Sequence, residues 1–212
     1  MKDNSTRIAI ILDRSGSMES SKESTVTGFN EFIRSQKTIP GEATVKLVQF
    51  DDQYETVFDK PLKDCPELTQ ATFVPRGSTA LLDAQGRTIV ELGRELAALP
   101  EPERPSKVIV VTLTDGLENA SKNYNLQQIG EMIREQRDKY RWDFVFLGAN
   151  QDAVATAAAM SIPAPSAMSY STSKAGVAAT MAAVSRYVLA SRRGKVAAFS
   201  AQDRKAAVGK DA

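Results

Sequence analysis

The chain has 212 residues and a formal net charge of +1, with 42% hydrophobic and 25% charged residues. That is enough apolar chain for one well-cored domain, and too little excess charge to point to nucleic acid or an anionic membrane. Histidine is absent and Cys65 is the single cysteine, which excludes Ser-His-Asp and Cys-His nucleophilic machinery, His-containing zinc sites and an intrachain disulfide.

Met1 to Arg7 is short and polar, and the apolar run behind it is too short to span a bilayer. Neither a secretion signal nor membrane insertion is predicted, and the lone thiol fits a reducing, cytoplasmic location. Ile8 to Leu12 is an unbroken apolar run, the pattern of a strand buried on both faces in a parallel sheet. It delivers Asp13, Ser15 and Ser17, at alternate positions, into a turn containing Gly16. A carboxylate and two hydroxyls are hard oxygen donors suited to Mg²⁺ or Mn²⁺. Taken alone, the same residues suit a strand-to-helix turn that merely caps the next helix.

Val26, Phe29, Phe32 and Ile33 follow helical spacing up to Pro40-Gly41. Ala43 to Phe50 then reads as a strand, Asp51-Asp52-Gln53 as a turn and Tyr54 to Phe58 as an antiparallel return strand. Asp51 and Asp52 are expected as turn formers rather than metal ligands. Residues 59–77 hold three prolines and little periodicity, which predicts a surface crossing. Ala80 to Leu99 reads as a helix closed by Pro100, with Asp83 either bracing a loop or lying exposed in the first turn.

Val108 to Thr114 reads as a second buried strand, ending in Asp115-Gly116. Leu126, Ile129, Met132 and Ile133 mark a further helix, and Trp142 to Gly148 a further buried strand. Asp152 to Met160 is Ala-rich and helical. Ala167 to Tyr170 is a short last strand, and Val177, Met181, Val184 and Val188 lie along a final helix starting at Ser173. Beyond Arg192 the pattern dissolves, so 193–212 is expected as a flexible or partner-docking tail. Strands alternating with helices predict an α/β fold: a doubly wound, mostly parallel sheet with helices on both faces.

Three segments in order, Asp13-Arg14-Ser15-Gly16-Ser17, Gly77-Ser78-Thr79 and Thr114-Asp115-Gly116, resemble the von Willebrand factor A (vWA) family and its metal-ion-dependent adhesion site. The resemblance covers 1–192 and implies a six-stranded sheet with one antiparallel edge strand. It also implies a metal set of Asp13, Ser15, Ser17, Thr79 and Asp115. Two carboxylates formally neutralise one divalent ion, and Mg²⁺ keeps water where the protein supplies no ligand. In the family an Asp or Glu of a protein partner takes the open position, which implies a non-enzymatic binding module. An AAA+ ATPase or an assembly subunit is the kind of partner bacterial or phage members suggest. The alternative is a structural subunit of a larger assembly or phage virion that uses the fold without metal-dependent recognition. A haloacid-dehalogenase-type phosphatase would need an acid at position 15, where Ser15 stands, and no Walker phosphate loop occurs. Glu118 is the one loop acid placed to act as a general base, and a solvated role is expected for it.

Overall fold

Five apolar residues in a row cannot leave either face of a strand in water, and the sheet is built around that constraint. In the computed structural model residues 1–209 are described; Lys210, Asp211 and Ala212, which end the expected tail, lie outside the described residues. Strand β1 (Lys2–Asp13) is flanked on both sides by parallel neighbours, β2 (Glu42–Phe50) and β4 (Pro105–Thr114). Strand β3 (Tyr54–Pro61) pairs antiparallel with β2, and β5 (Asp143–Ala149) and β6 (Ala167–Tyr170) continue in parallel beyond β4. The order is β3-β2-β1-β4-β5-β6. The fold is therefore the doubly wound α/β sheet with one antiparallel edge strand.

Side chains alternate across the sheet, so β1 feeds two cores. Ile8, Ile10 and Leu12 pack with α1 (Lys22–Lys37) and α5 (Lys174–Arg192). Ala9 and Ile11 pack with α2 (Leu81–Ala98), α3 (Leu126–Tyr140) and α4 (Ala153–Ala159). Each fully buried Ile or Leu contributes about 2 kcal/mol. Among the described residues no helix is long and apolar enough to cross a membrane.

Three stretches differ from the sequence pattern. β1 starts at Lys2, six residues before its apolar run, because its exposed first residues still pair with neighbouring strands. Residues 59–77 do not simply cross the surface: Leu62, Cys65, Leu68 and Phe73 are buried against the α1 layer, and the Asn30 side chain bonds both the amide and the carbonyl of Leu68. Isolated loop anchors carry no period, so spacing could not reveal them. Beyond Arg192 the chain returns to the domain. Phe199 is buried against Tyr187, with ring centroids 5.2 Å apart, and a helix α6 (Ala201–Val208) follows. Arg204 donates to the carbonyls of Ala164 and Ala167, and the Ser171 amide to that of Ala207.

Candidate metal centre

The chain winds outward from β1 to β2 and β3, then crosses back to start again at β4. The reversal falls between β1 and β4, where open α/β sheets bind ligands outside the strand carboxyl ends. Asp13 ends β1 and Asp115 follows β4 at that crevice. Thr79, from the loop before α2, joins them, so the structure brings all five expected donors to one place.

The local geometry is set by short hydrogen bonds. Asp13 accepts from the Ser15 amide at 2.6 Å and from the Thr114 hydroxyl at 2.5 Å. Ser17 donates to Asp115 at 2.5 Å, and the Ser15 and Ser17 hydroxyls lie 3.2 Å apart. A Cβ placed on Gly116 would stand 2.9 Å from the Thr79 hydroxyl, 3.4 Å from that of Ser17 and 3.7 Å from that of Ser15. Three hydroxyls from two segments thus converge on one point, left open because residue 116 has no side chain. Asp13, Ser15, Thr79 and Asp115 are buried, while Gly16 and Ser17 are exposed and open the mouth.

Electrostatics favour a cation there. Burial pushes the Asp13 carboxyl up to about 6, with the Asp115 charge adding to the rise and the Thr114 and Ser15 hydrogen bonds opposing it. Burial also raises Asp115, against the Ser17 hydrogen bond. Two carboxylates held out of water beside each other are stabilised by a divalent ion. Among the described residues no three His, Cys, Asp or Glu side chains gather anywhere, so the centre rests on two carboxylates and neutral hydroxyls. That all-oxygen set fits a hard cation with an open coordination position.

Several supporting residues escaped the sequence reading. Asp51 acts as the expected turn former, accepting from the Gln53 amide at 2.6 Å, but it is also fully buried and accepts from Arg14 at 3.1 Å and Arg76 at 2.8 Å. Its own carbonyl accepts from the Ala80 amide. It ties the Asp13–Ser17 turn to the Thr79 loop, which also meet through Gly16 and Gly77 and through Arg14 and Arg76. Asn119 accepts from the Thr79 amide and donates its own amide to the Thr79 carbonyl. Asn150 and Gln151 hold the carbonyls of Asp115 and Gly116.

Glu118 is not a solvated loop acid: it accepts from the amides of Leu82, Ala120 and Ser121 and from the Ser121 hydroxyl. Asp83 resolves as a brace, taking the amides of Lys122, Asn123 and Tyr124, which hold its carboxyl below the usual aspartate range despite some burial. The one available sequence signal was composition: Asp, Asn, Ser and Glu crowd the two loops, each able to cap a neighbour's amides.

No protein-family model and no curated protein matches the sequence. Solved structures do match. Proximal thread matrix protein 1 from the mussel byssus, with a zinc-occupied MIDAS motif, superposes with a TM-score of 0.62 at 16% identity, over 89% of this chain and 47% of that one. A von Willebrand factor type A protein from Catenulispora acidiphila gives 0.57 at 15%, over 89% and 43%. The pilus adhesin SpaC from Lactobacillus rhamnosus GG, in an open conformation, gives 0.64 at 14%, over 90% and 30%. The chain has the von Willebrand factor A fold. It spans less than half the length of each of these three proteins.

Proposed function

We propose that this chain is a metal-dependent protein-binding module. Asp13, Ser15, Ser17, Thr79 and Asp115 hold a divalent cation, Mg²⁺ or Mn²⁺, whose open position takes an Asp or Glu of a partner. The observation that carries the reading is the convergence of three hydroxyls on the gap at Gly116, at the switch point and under an exposed mouth, with buried Asp115 bonded to one of them and buried Asp13 to the Ser15 amide. With two formal negative charges against two positive, the ion is not over-neutralised and can attract a third carboxylate. Zinc occupies the motif in the mussel protein; here the hard donors favour Mg²⁺ or Mn²⁺.

The role is non-enzymatic in this reading, because Glu118, the loop acid that could have served as a base, is committed to four hydrogen bonds. An assembly subunit or an AAA+ ATPase inside the cell, or a virion component, is the partner class proposed.

Calorimetric titration with Mn²⁺ on wild type and Asp13→Ala tests the ion: equal binding by both sinks the assignment. Pull-down in Mg²⁺ and in EDTA tests the recognition. Thr79→Ala removes no charge, so it is expected to weaken partner capture more than Mn²⁺ binding. A partner retained equally in EDTA would make the fold a structural subunit instead.

A further inference from the structure

Tyr170 ends β6, and its register partner on β5 is Ala149. Both belong to the layer that holds Leu113 and Leu147. On the other side of β5, Gly148 pairs with Thr114, so the row across the sheet from Tyr170 through Ala149 leads to Asp115, the residue that follows β4. Tyr170 is 4% exposed, and its hydroxyl is buried with no hydrogen-bond partner among the described residues. Leaving a buried hydroxyl unpaired costs about 1–3 kcal/mol. The other buried tyrosine, Tyr187, shows the ordinary arrangement, its hydroxyl 2.7 Å from that of Ser166. A phenylalanine would fill the Tyr170 space without an unpaired group.

The charges that act on this phenol are those of Asp115 and Asp13; burial first, then these two, keep its proton on well above the usual tyrosine range. It is a donor, buried in the row of the sheet that leads to Asp115. Asp13 is already held by Thr114 and the Ser15 amide. Asp115 takes its side-chain hydrogen bond from Ser17, which is itself a ligand in the proposed set. Ligating carboxylates need outer partners that do not compete for the ion.

We infer that Tyr170 is a positioning residue of the metal centre, its hydroxyl holding an ordered water that donates to the inner side of the Asp13–Asp115 pair. The inference rests on the metal-binding reading above. It assigns the hydroxyl to the ion-bound state and the ring to the fold, so the two can be separated by Tyr170→Phe.

The test uses the full chain with Mn²⁺ and Mg²⁺ alone. Tyr170→Phe is expected to weaken Mn²⁺ binding about tenfold, while the melting temperature without metal stays the same or rises. Saturating wild type with Mg²⁺ is expected to produce a near-ultraviolet tyrosine difference spectrum that the variant lacks. A purely structural tyrosine would give the opposite pattern, a lower melting temperature with unchanged affinity. Equal Mn²⁺ affinity in both proteins, or a difference spectrum that survives in the variant, overturns the inference and leaves the metal reading standing. Should the variant not fold, a wild type that saturates without any tyrosine difference spectrum overturns it equally. A wild type that binds no Mn²⁺ removes the metal reading and this inference together.

Discussion

In the proposed centre, Asp13 would tie folding, protons and metal to one carboxyl group. Its carboxyl titrates at about 6 in the folded chain, against about 4 for an unfolded aspartate. Between those values this group binds more protons in the native state than in the unfolded one, so its contribution to metal-free stability is present on the acid side and is lost as pH rises through about 6. A metal bound as proposed would reverse the preference, because the ion needs the ionised form and competes with the proton. The rise in melting temperature on adding Mg²⁺ is therefore expected to be large at about pH 8 and nearly gone at about pH 5. Melts with and without Mg²⁺ at both values check it, with Asp13→Asn as the control that loses the acid-side gain; an equal Mg²⁺ effect at both would contradict it. Gly116 makes a sharper case. An added methyl would meet the Thr79 hydroxyl at 2.9 Å, in the space where the three hydroxyls converge. Gly116→Ala is expected to lose Mn²⁺ binding and to cost about 1–3 kcal/mol of stability, as calorimetry and denaturant melts would show.

At the scale of elements, the centre is a set of loops held by their own polar groups. Asp51 on the β2–β3 turn and Arg14 on the β1 turn are both buried, and Arg76 joins them from the loop before α2. Removing one partner of a buried ion pair leaves a charge uncompensated and costs about 3–5 kcal/mol. Asp51→Ala is expected near the lower end, since Arg76 can turn to solvent, and it should also weaken Mn²⁺ binding by freeing the turns that carry Ser15 and Thr79. Full stability together with unchanged Mn²⁺ affinity would count against the clamp. This clamp marks the limit of what the sequence shows. The strands and helices are legible because burial imposes a period on them, and the five proposed donors because three short motifs in order resemble the metal site of a known family; only Asp13, Ser15, Ser17 and Asp115 end or follow a strand, while Thr79 lies in the loop before α2. The clamp role of Asp51 is not legible, because an aspartate in a turn looks the same whether it bonds the turn backbone alone or two arginines as well. Tyr170 reads as one more apolar residue at a strand end, since nothing local shows that its hydroxyl lacks a partner. Helix α6 hides for another reason: among its residues only Ala207 is buried, and its anchor, Phe199, lies outside it.

For the whole molecule, that anchor decides whether the chain beyond Arg192 belongs to the domain. Phe199→Ala is expected to cost about 3 kcal/mol in chemical denaturation and to leave Mn²⁺ affinity unchanged. A detachable tail would show no loss of stability. The strand order has a different consequence, for the chain as it is made. Of the six strands of this sheet β1 is made first, and it is one of the two at the middle; its hydrogen-bonding partner β4 ends with Thr114, 101 residues after Asp13. At about 5–20 residues per second on the ribosome, roughly ten seconds pass with one side of a strongly apolar strand unpaired. Bare strand edges recruit other chains. Fragments that stop before β4 should therefore precipitate or hold chaperones, whereas fragments that include β5 should be soluble. Arrested nascent chains of graded length would reveal that threshold, which makes the position of one strand a constraint on how the protein survives its own synthesis.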